Sequence, residues 1–165
     1  MSSSTSIYLL RTMQQHHVAL SRMADQKANI VIAGSVAVLL FSIGRIDAGE
    51  YSAWIFALAT TALASATLAI IAVKPSISIR KKAVQQINPL FFGHFAQMPE
   101  DEYVAKIMGL LEKDETIYKA MIEDTYQLGH TLYYKKYNYI GYSYNVFLFG
   151  ITLTAALALL KILVN

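Results

Sequence analysis

The side chains that could carry acid–base or metal chemistry are scattered along this chain and form no catalytic set. None of the four histidines stands in the i, i+4 pattern with an intervening Glu that binds zinc. They are His16, His17, His94 and His130. The carboxylate pairs Asp114–Glu115 and Glu123–Asp124 lie beside lysines on a predicted helix, which is typical of a solvated helix face. Cysteine is absent and no strand leads into a glycine-rich phosphate loop, so the residues do not indicate an enzyme.

The basic residues fit ligand binding better than the other polar residues fit catalysis. Arg22 and Lys27 precede the first long apolar run, and we expect five further cations at a similar depth: Arg80, Lys81, Lys82, Lys135 and Lys136. Guanidinium and ammonium groups bind phosphate, and aromatic rings such as Phe92 and Tyr126 can stack on a base. The alternative is that the same cations only anchor the chain at a membrane surface.

Three uncharged runs predict membrane spans. Apolar residues make up 55% of the chain and charged residues 15%, and the runs without any charge are 28–44, 51–73 and 137–160. A bilayer core needs about 20 apolar residues, which the second and third runs provide. The first run is too short to cross the whole bilayer core on its own. The long side chains of Lys27 and Arg45 can make up the missing length by extending to the polar headgroups. The alternative for that run is a buried helix of a soluble bundle.

The distribution of Lys and Arg predicts the orientation. Twelve of the fourteen lie before the first span or between the second and third, and only Arg45 and Lys161 lie elsewhere. The positive-inside rule then places the N-terminus and residues 74–136 in the cytoplasm, with the C-terminus outside. The net charge of +3 is explained by these membrane-proximal cations, so we expect no nucleic-acid polymer as partner.

The predicted fold is an all-α membrane protein with three transmembrane helices and a cytoplasmic helical bundle. The predicted segments are an N-terminal helix (1–27), a transmembrane hairpin (28–73, with spans 28–44 and 51–73), a cytoplasmic helical region (74–136) and a third span (137–163). No Pro or Gly interrupts Ile7 to Ala33, so one helix is expected to run from the polar half into the first span, and glycines bound the turn Gly44–Glu50. The extension of that helix and segment 76–136 are expected to form the bundle. Asp114 is predicted to cap a helix whose apolar seam packs on the extension and consists of Ile117, Met121, Leu128 and Leu132.

Small residues recur every fourth position in the second and third spans. The third span carries Gly150, Thr154 and Ala158 at this spacing. Such stripes let helix backbones approach closely, either within the chain or in an oligomer. Asp25 lies close to the bilayer, and a charged group there usually has a partner, for which a cytoplasmic Lys or Tyr is the natural candidate.

Three blocks of the sequence together resemble the Pycsar transmembrane effectors of bacterial antiphage defence. The blocks are Ser21–Ile30, Asn88–Phe95, and Asp124–Gly129 followed by Lys135-Lys136-Tyr137. The resemblance implies an effector paired with a pyrimidine cyclase. On infection the cyclase would make cyclic CMP or cyclic UMP, and the activated effector would impair the inner membrane and cause abortive infection. The chain has no separate β-barrel nucleotide domain, so the helical cytoplasmic part, or an assembly of several chains, would have to sense the messenger.

The resulting hypothesis is a multi-pass, homo-oligomeric protein of the bacterial inner membrane that binds a cyclic pyrimidine nucleotide and uses no cofactor or metal. We expect Arg22, Lys27, Lys135 and Lys136 to bind phosphate, and Phe92 and Tyr126 to pack or stack. Asp25, Asn29 and Asn88 are predicted to have structural or coupling roles. The alternative is a constitutive membrane scaffold or small channel subunit without nucleotide gating.

Overall fold

The computed structural model describes residues 3–74 and 88–164, and among these residues there is no strand. The helices are α1 (Ser3–Asp47), α2 (Ala53–Val73), α3 (Phe92–Phe95), α4 (Glu100–Leu111), α5 (Asp114–Thr131) and α6 (Asn138–Val164). A π-helical segment, Leu132–Tyr137, joins α5 to α6. Three helical stretches are long and apolar enough to cross a membrane: Ser4–Asp47, Ala53–Val73 and Asp114–Leu163. The predicted all-α membrane class is therefore confirmed.

The turn between α1 and α2 is shorter than predicted. The expectation that α1 stops at Gly44 is wrong, because the helix continues to Asp47. The residue that ends it is Gly49, whose φ of 88° lies in the left-handed region that glycine tolerates. The Gly49 and Glu50 amides donate to the carbonyls of Ile46 and Arg45, at 2.9 and 3.0 Å, which is the Schellman pattern of helix termination.

The chain divides into two compact units. One consists of the described residues within Met1–Leu20 and Pro75–Leu132, and it carries eight of the eleven acidic residues. The other consists of the described residues within Ser21–Lys74 and Tyr133–Asn165 and contains the three uncharged runs. We refer to them as the polar unit and the apolar unit, and α1 contributes residues to both.

Small side chains form the core of the apolar unit. The buried positions recur at spacings of three and four, so each helix presents one stripe to its neighbours. They are Ala24, Ala28, Val31, Ser35 and Ser42 on α1; Ile55, Ala62, Ser65, Ala66, Ala69 and Ala72 on α2; and Ile140, Ser143, Gly150 and Thr154 on α6. Because lipid is as apolar as these side chains, close packing and interhelical hydrogen bonds hold such helices together.

Gly150 marks the closest approach of α6 to α2. A Cβ placed at this glycine would overlap the Thr61 side chain, which also donates a 2.7 Å hydrogen bond to the Ala57 carbonyl. The small residues predicted for these two spans thus pack against each other within one chain.

Three serines link the three spans through hydrogen bonds. Ser35 on α1 donates to the Ser65 hydroxyl at 3.2 Å, and Ser65 donates to the Ser143 carbonyl at 2.9 Å. Ser143 in turn donates to the Ser65 carbonyl at 2.7 Å. All three serines are fully buried, so each hydroxyl is satisfied by a neighbouring helix instead of by lipid.

In the polar unit, α5 packs against the first half of α1. Gln14 donates to the Asp124 carboxylate at 3.1 Å, and the His17 ring lies against Gly129, where an added Cβ would stand 3.0 Å from it. The expected contact between these two helices is therefore present. One expectation is wrong: Asp124 does not lie on a solvated face but is only 6% exposed, because it points toward α1.

The two short helices, α3 and α4, precede α5 along the chain. The first turn of α4 holds Glu100, Asp101 and Glu102, whose charges complement the positive end of the helix dipole. Lys113 occupies the N-cap position of α5, so Asp114 is its first helical residue instead of its cap. The Phe95 and Tyr103 rings lie 5.0 Å apart and connect α3 to α4.

Candidate functional site

Two polar clusters contain residues from all three sequence blocks. One lies in the apolar unit around Asp25, and the other lies in the polar unit around Asn88. Each cluster joins elements that are far apart along the chain, so each fixes the packing of its own unit.

The Asp25 cluster joins α1 to the π-helical segment. The Lys136 ammonium donates to both carboxylate oxygens of Asp25, at 2.7 and 2.9 Å, and to the Ser21 hydroxyl at 2.8 Å. Ser21 and Asp25 stand four residues apart on α1, which places both on the helix face that meets Lys136. The structure thus gives Asp25 the lysine partner that its depth led us to expect.

Lys27 lies beside the tyrosines of the same unit. Its ammonium stands 6.0 Å from the centroid of the Tyr137 ring, at the outer limit of a cation–π contact. Its backbone carbonyl accepts a 3.3 Å hydrogen bond from the Tyr144 hydroxyl. The side chain itself is exposed, so its charge is accessible from solvent.

The four predicted phosphate ligands all belong to the apolar unit but differ in their surroundings. Arg22, Lys27 and Lys135 are exposed, and Lys136 is paired with Asp25. Exposed cations can form charge-assisted hydrogen bonds with a phosphate. The remaining predicted cations, Arg80, Lys81 and Lys82, lie outside the described residues.

The Asn88 cluster ties the loop before α3 to α5 and α1. The Asn88 amide nitrogen donates to Asp124 at 2.8 Å and to Gln127 at 3.1 Å, and its side-chain oxygen accepts from the Leu90 backbone at 2.9 Å. The Asn88 backbone amide donates to the His94 Nδ1 at 3.1 Å. Every polar atom of this buried side chain is used, which fits the structural role predicted for Asn88.

The two predicted stacking residues lie in the polar unit. Phe92 and Tyr126 are 59% and 72% exposed, so most of each residue's surface is accessible. The Phe92 ring contacts Phe91, with centroids 5.1 Å apart, and Tyr126 lies 6.2 Å from the His130 ring. Asn29, predicted to have a structural role, is exposed on α1.

Sequence reasoning did not assign roles to several members of these clusters: Gln14, Ser21, His94, Asp124 and Gln127. Two of them carried a usable signal. Ser21 shares a helix face with Asp25 by its i, i+4 spacing, and Asp124 shares one with Leu128 of the predicted α5 seam. The partners of Gln14 and His94 required the tertiary structure.

These features define a class. The described residues form a helical protein with three membrane-spanning helices and polar clusters on its α1 and α5 helices. Residues 8–163 match the family PycTM, described as the Pycsar effector protein domain. The chain therefore belongs to this family of antiphage defence effectors, which works with a partner cyclase and is not known as a family of enzymes. No curated protein and no solved structure matched the chain.

Proposed function

We propose that this protein is gated by a cyclic pyrimidine nucleotide, cyclic CMP or cyclic UMP, and then impairs the inner membrane, so that the infected cell dies before phage mature. The observation that supports the proposal is the family match over residues 8–163, together with three helices able to cross a membrane. The ligand would be made by the partner cyclase, and no cofactor or metal is needed.

The phosphate of the messenger would be bound by the exposed cations of the apolar unit, Arg22, Lys27 and Lys135. Phosphate binding favours charge-assisted hydrogen bonds from such groups. Tyr126 and Phe92 remain the aromatic residues proposed to pack or stack.

Lys136 gives a route from binding to conformational change. Its ammonium donates hydrogen bonds to both Asp25 and Ser21 of α1. The side chains of Lys136 and Asp25 are 24% and 44% exposed. A phosphate bound beside Lys136 is a second anion that competes for its ammonium. This competition weakens the contacts of Lys136 with Asp25 and Ser21. The ligand then shifts an existing equilibrium toward the active state, provided that it binds that state more tightly.

The protein would lie in the bacterial inner membrane as a multi-pass homo-oligomer, with its N-terminus in the cytoplasm and its C-terminus outside. The positive-inside distribution supports this orientation, because twelve of the fourteen Lys and Arg residues fall on one side.

Dye entry tests the gating. Cells expressing the chain would be supplied with cyclic CMP, cyclic UMP or cyclic AMP, and entry of a membrane-impermeant dye would be followed. We expect a pyrimidine nucleotide to trigger dye entry and cyclic AMP to leave it unchanged. A Lys27→Glu variant should lose the response, whereas Lys113→Glu, an exposed lysine of the polar unit, should retain it.

A second candidate function is a constitutive membrane scaffold or small channel subunit. The observation that favours it is the self-sufficient packing of the three spans through Ser35, Ser65 and Ser143, which needs no ligand. Dye entry that is the same with and without every nucleotide would favour this function and contradict nucleotide gating.

A further inference from the structure

A π-helical segment, Leu132–Tyr137, interrupts the helical stretch Asp114–Leu163. Hydrogen bonds in a π turn join residues five apart, whereas those in an α-helix join residues four apart, so the turn holds one residue more. We call it the spare residue. Turns of this kind occur mostly singly inside α-helices and frequently lie at functional sites. The stretch can adopt α geometry at this point only if the spare residue moves along the helix.

The spare residue has room to move because the residues around it belong to no core. None of the residues 133–139 is buried, whereas Leu132 and Ile140 on either side are 8% and 4% exposed. Beyond Ile140, Ser143 is held in place by its hydrogen bonds with Ser65. A shift between Leu132 and Ile140 therefore displaces no buried side chain. Each residue that the spare residue passes turns by about 100° around the helix axis.

Lys136 ties this segment to α1. Its ammonium donates two hydrogen bonds to the Asp25 carboxylate, at 2.7 and 2.9 Å, and one to the Ser21 hydroxyl, at 2.8 Å. Lys136 is the fifth of the six residues, so most of the π turn precedes it and the spare residue passes it by moving toward α6. A turn of about 100° would take the ammonium off the side of the helix that meets α1. The hydrogen bonds of Lys136 thus oppose the shift.

We propose that Leu132–Tyr137 is a register switch, which Lys136 holds in the π form and which shifts when Lys136 leaves Asp25. After the shift, Lys136 has turned relative to Ile140 and Ser143 and no longer contacts α1. The trigger rests on the proposed function, in which the phosphate of the nucleotide competes with Asp25 for Lys136. The switch itself is tested without nucleotide, by removing the Asp25 carboxylate.

Single cysteines report the shift because the chain has none of its own. As the spare residue moves toward α6, each residue that it passes takes the place of the next one. The half-buried Asn138 then takes the exposed place of Tyr139, and Tyr139 moves toward the buried place of Ile140. Asn138→Cys and Tyr139→Cys would be introduced singly into the full chain in detergent, with and without Asp25→Ala. The rate of reaction with a water-soluble maleimide would be measured for each.

We expect Asp25→Ala to raise the ratio of the rate at position 138 to that at position 139 several-fold. Asp47→Ala, which removes an exposed carboxylate from the other end of α1, is the matched control and should leave the ratio unchanged. A ratio that Asp25→Ala does not change, or that rises equally in the control, overturns the proposal. Equal acceleration at both positions overturns it as well, because that result indicates local unfolding instead of a shift.

Deletion of Tyr133, an exposed residue of the segment, provides the second measurement. It removes the spare residue, so the helix becomes α-helical with both ends in place, and Asp25→Ala should no longer change the ratio. The control is deletion of Glu123 from the regular helix α5, which should lower the resistance to unfolding by sodium dodecyl sulfate, whereas deletion of Tyr133 should not. Equal loss of resistance in both deletions, or a ratio that still rises without Tyr133, contradicts the proposal.

The result for the switch is separate from the result for nucleotide gating. A ratio that rises with Asp25→Ala, in a protein whose dye entry responds to no nucleotide, would support the switch and contradict the proposed function. A nucleotide response together with a ratio that Asp25→Ala leaves unchanged would support the proposed function and overturn the switch.

Discussion

At the scale of single residues, the two polar side chains that matter most are both carboxylates, in different surroundings. Asp25 is partly exposed and is paired with a lysine. Asp124 is buried and accepts hydrogen bonds from two uncharged amides, those of Gln14 and Asn88. Removing the donors of a buried acceptor lowers the free energy of unfolding more than breaking a partly exposed ion pair does. The two sites should therefore respond differently to substitution.

We expect Asp124→Asn to destabilise the protein. Asn88 and Gln14 both donate to this carboxylate, and an amide in its place brings one NH₂ group against another donor. Leaving a buried polar group unsatisfied costs about 1–3 kcal/mol. Thermal unfolding of the detergent-solubilised protein measures the change, with the exposed neighbour Glu123→Gln as control. Equal, small shifts for both variants would contradict the assigned hydrogen bonds.

The Asp25–Lys136 ion pair should contribute less to the free energy of unfolding than the hydrogen bonds of Asp124. A partly exposed ion pair contributes at most about 1 kcal/mol. A double-mutant cycle of Asp25→Asn and Lys136→Met isolates that coupling, measured from unfolding in mixed micelles. The control cycle replaces Lys136→Met by Lys27→Met, because residues two apart on a helix do not face each other. Coupling in the control cycle as large as in the test cycle would show that Lys136 has no special link to Asp25.

The residue scale was the hardest to predict from sequence. A lysine partner for Asp25 was foreseeable from its depth, but Lys136 is 111 residues away, and several lysines fitted equally well. Asp124 was misjudged because it adjoins Glu123 on a helix that also carries Lys119, and only the packing of α5 on α1 decides which face is buried.

At the scale of helices, small residues decide how the spans fit together. The approach of α6 to α2 depends on the missing side chain of Gly150, and the serines add interhelical hydrogen bonds that average about 0.6 kcal/mol each in membranes. The sequence indicated small-residue stripes on both spans. It did not indicate whether they pack within the chain, because intramolecular and intermolecular contacts use the same spacing.

We expect Gly150→Ala to destabilise the packing of α2 and α6. The added methyl group overlaps the short, branched Thr61 side chain, which cannot swing away without losing its bond to the Ala57 carbonyl. Overpacking of this kind costs about 1–3 kcal/mol.

Gly141→Ala on the same helix is the matched control, since no heavy atom lies within 4 Å of a Cβ built there. It should be neutral or slightly stabilising, because Ala is the better helix former. Resistance to unfolding by sodium dodecyl sulfate measures both variants, and equal resistance would contradict the close approach at Gly150.

At the scale of the whole molecule, sequence predicts most of the architecture. The bilayer imposes a minimum length and excludes charge, so three uncharged runs were enough to predict three spans. Helix ends were less predictable: Gly44 looked like a boundary, yet the backbone geometry that terminates α1 is at Gly49. The division into two units also depends on long-range contacts that periodicity does not encode.

The orientation of the chain in the membrane can be tested with reporter fusions. With three spans the termini lie on opposite sides, and the excess of Lys and Arg before the first span and between the second and third should hold those parts in the cytoplasm. Alkaline phosphatase, which is active only outside the cytoplasm, should therefore be active when fused after Asn165. The same enzyme fused after Lys113, between α4 and α5, should be inactive, and green fluorescent protein should show the reverse pattern. Phosphatase activity at Lys113 and fluorescence at the C-terminus would mean that the chain inserts the other way round.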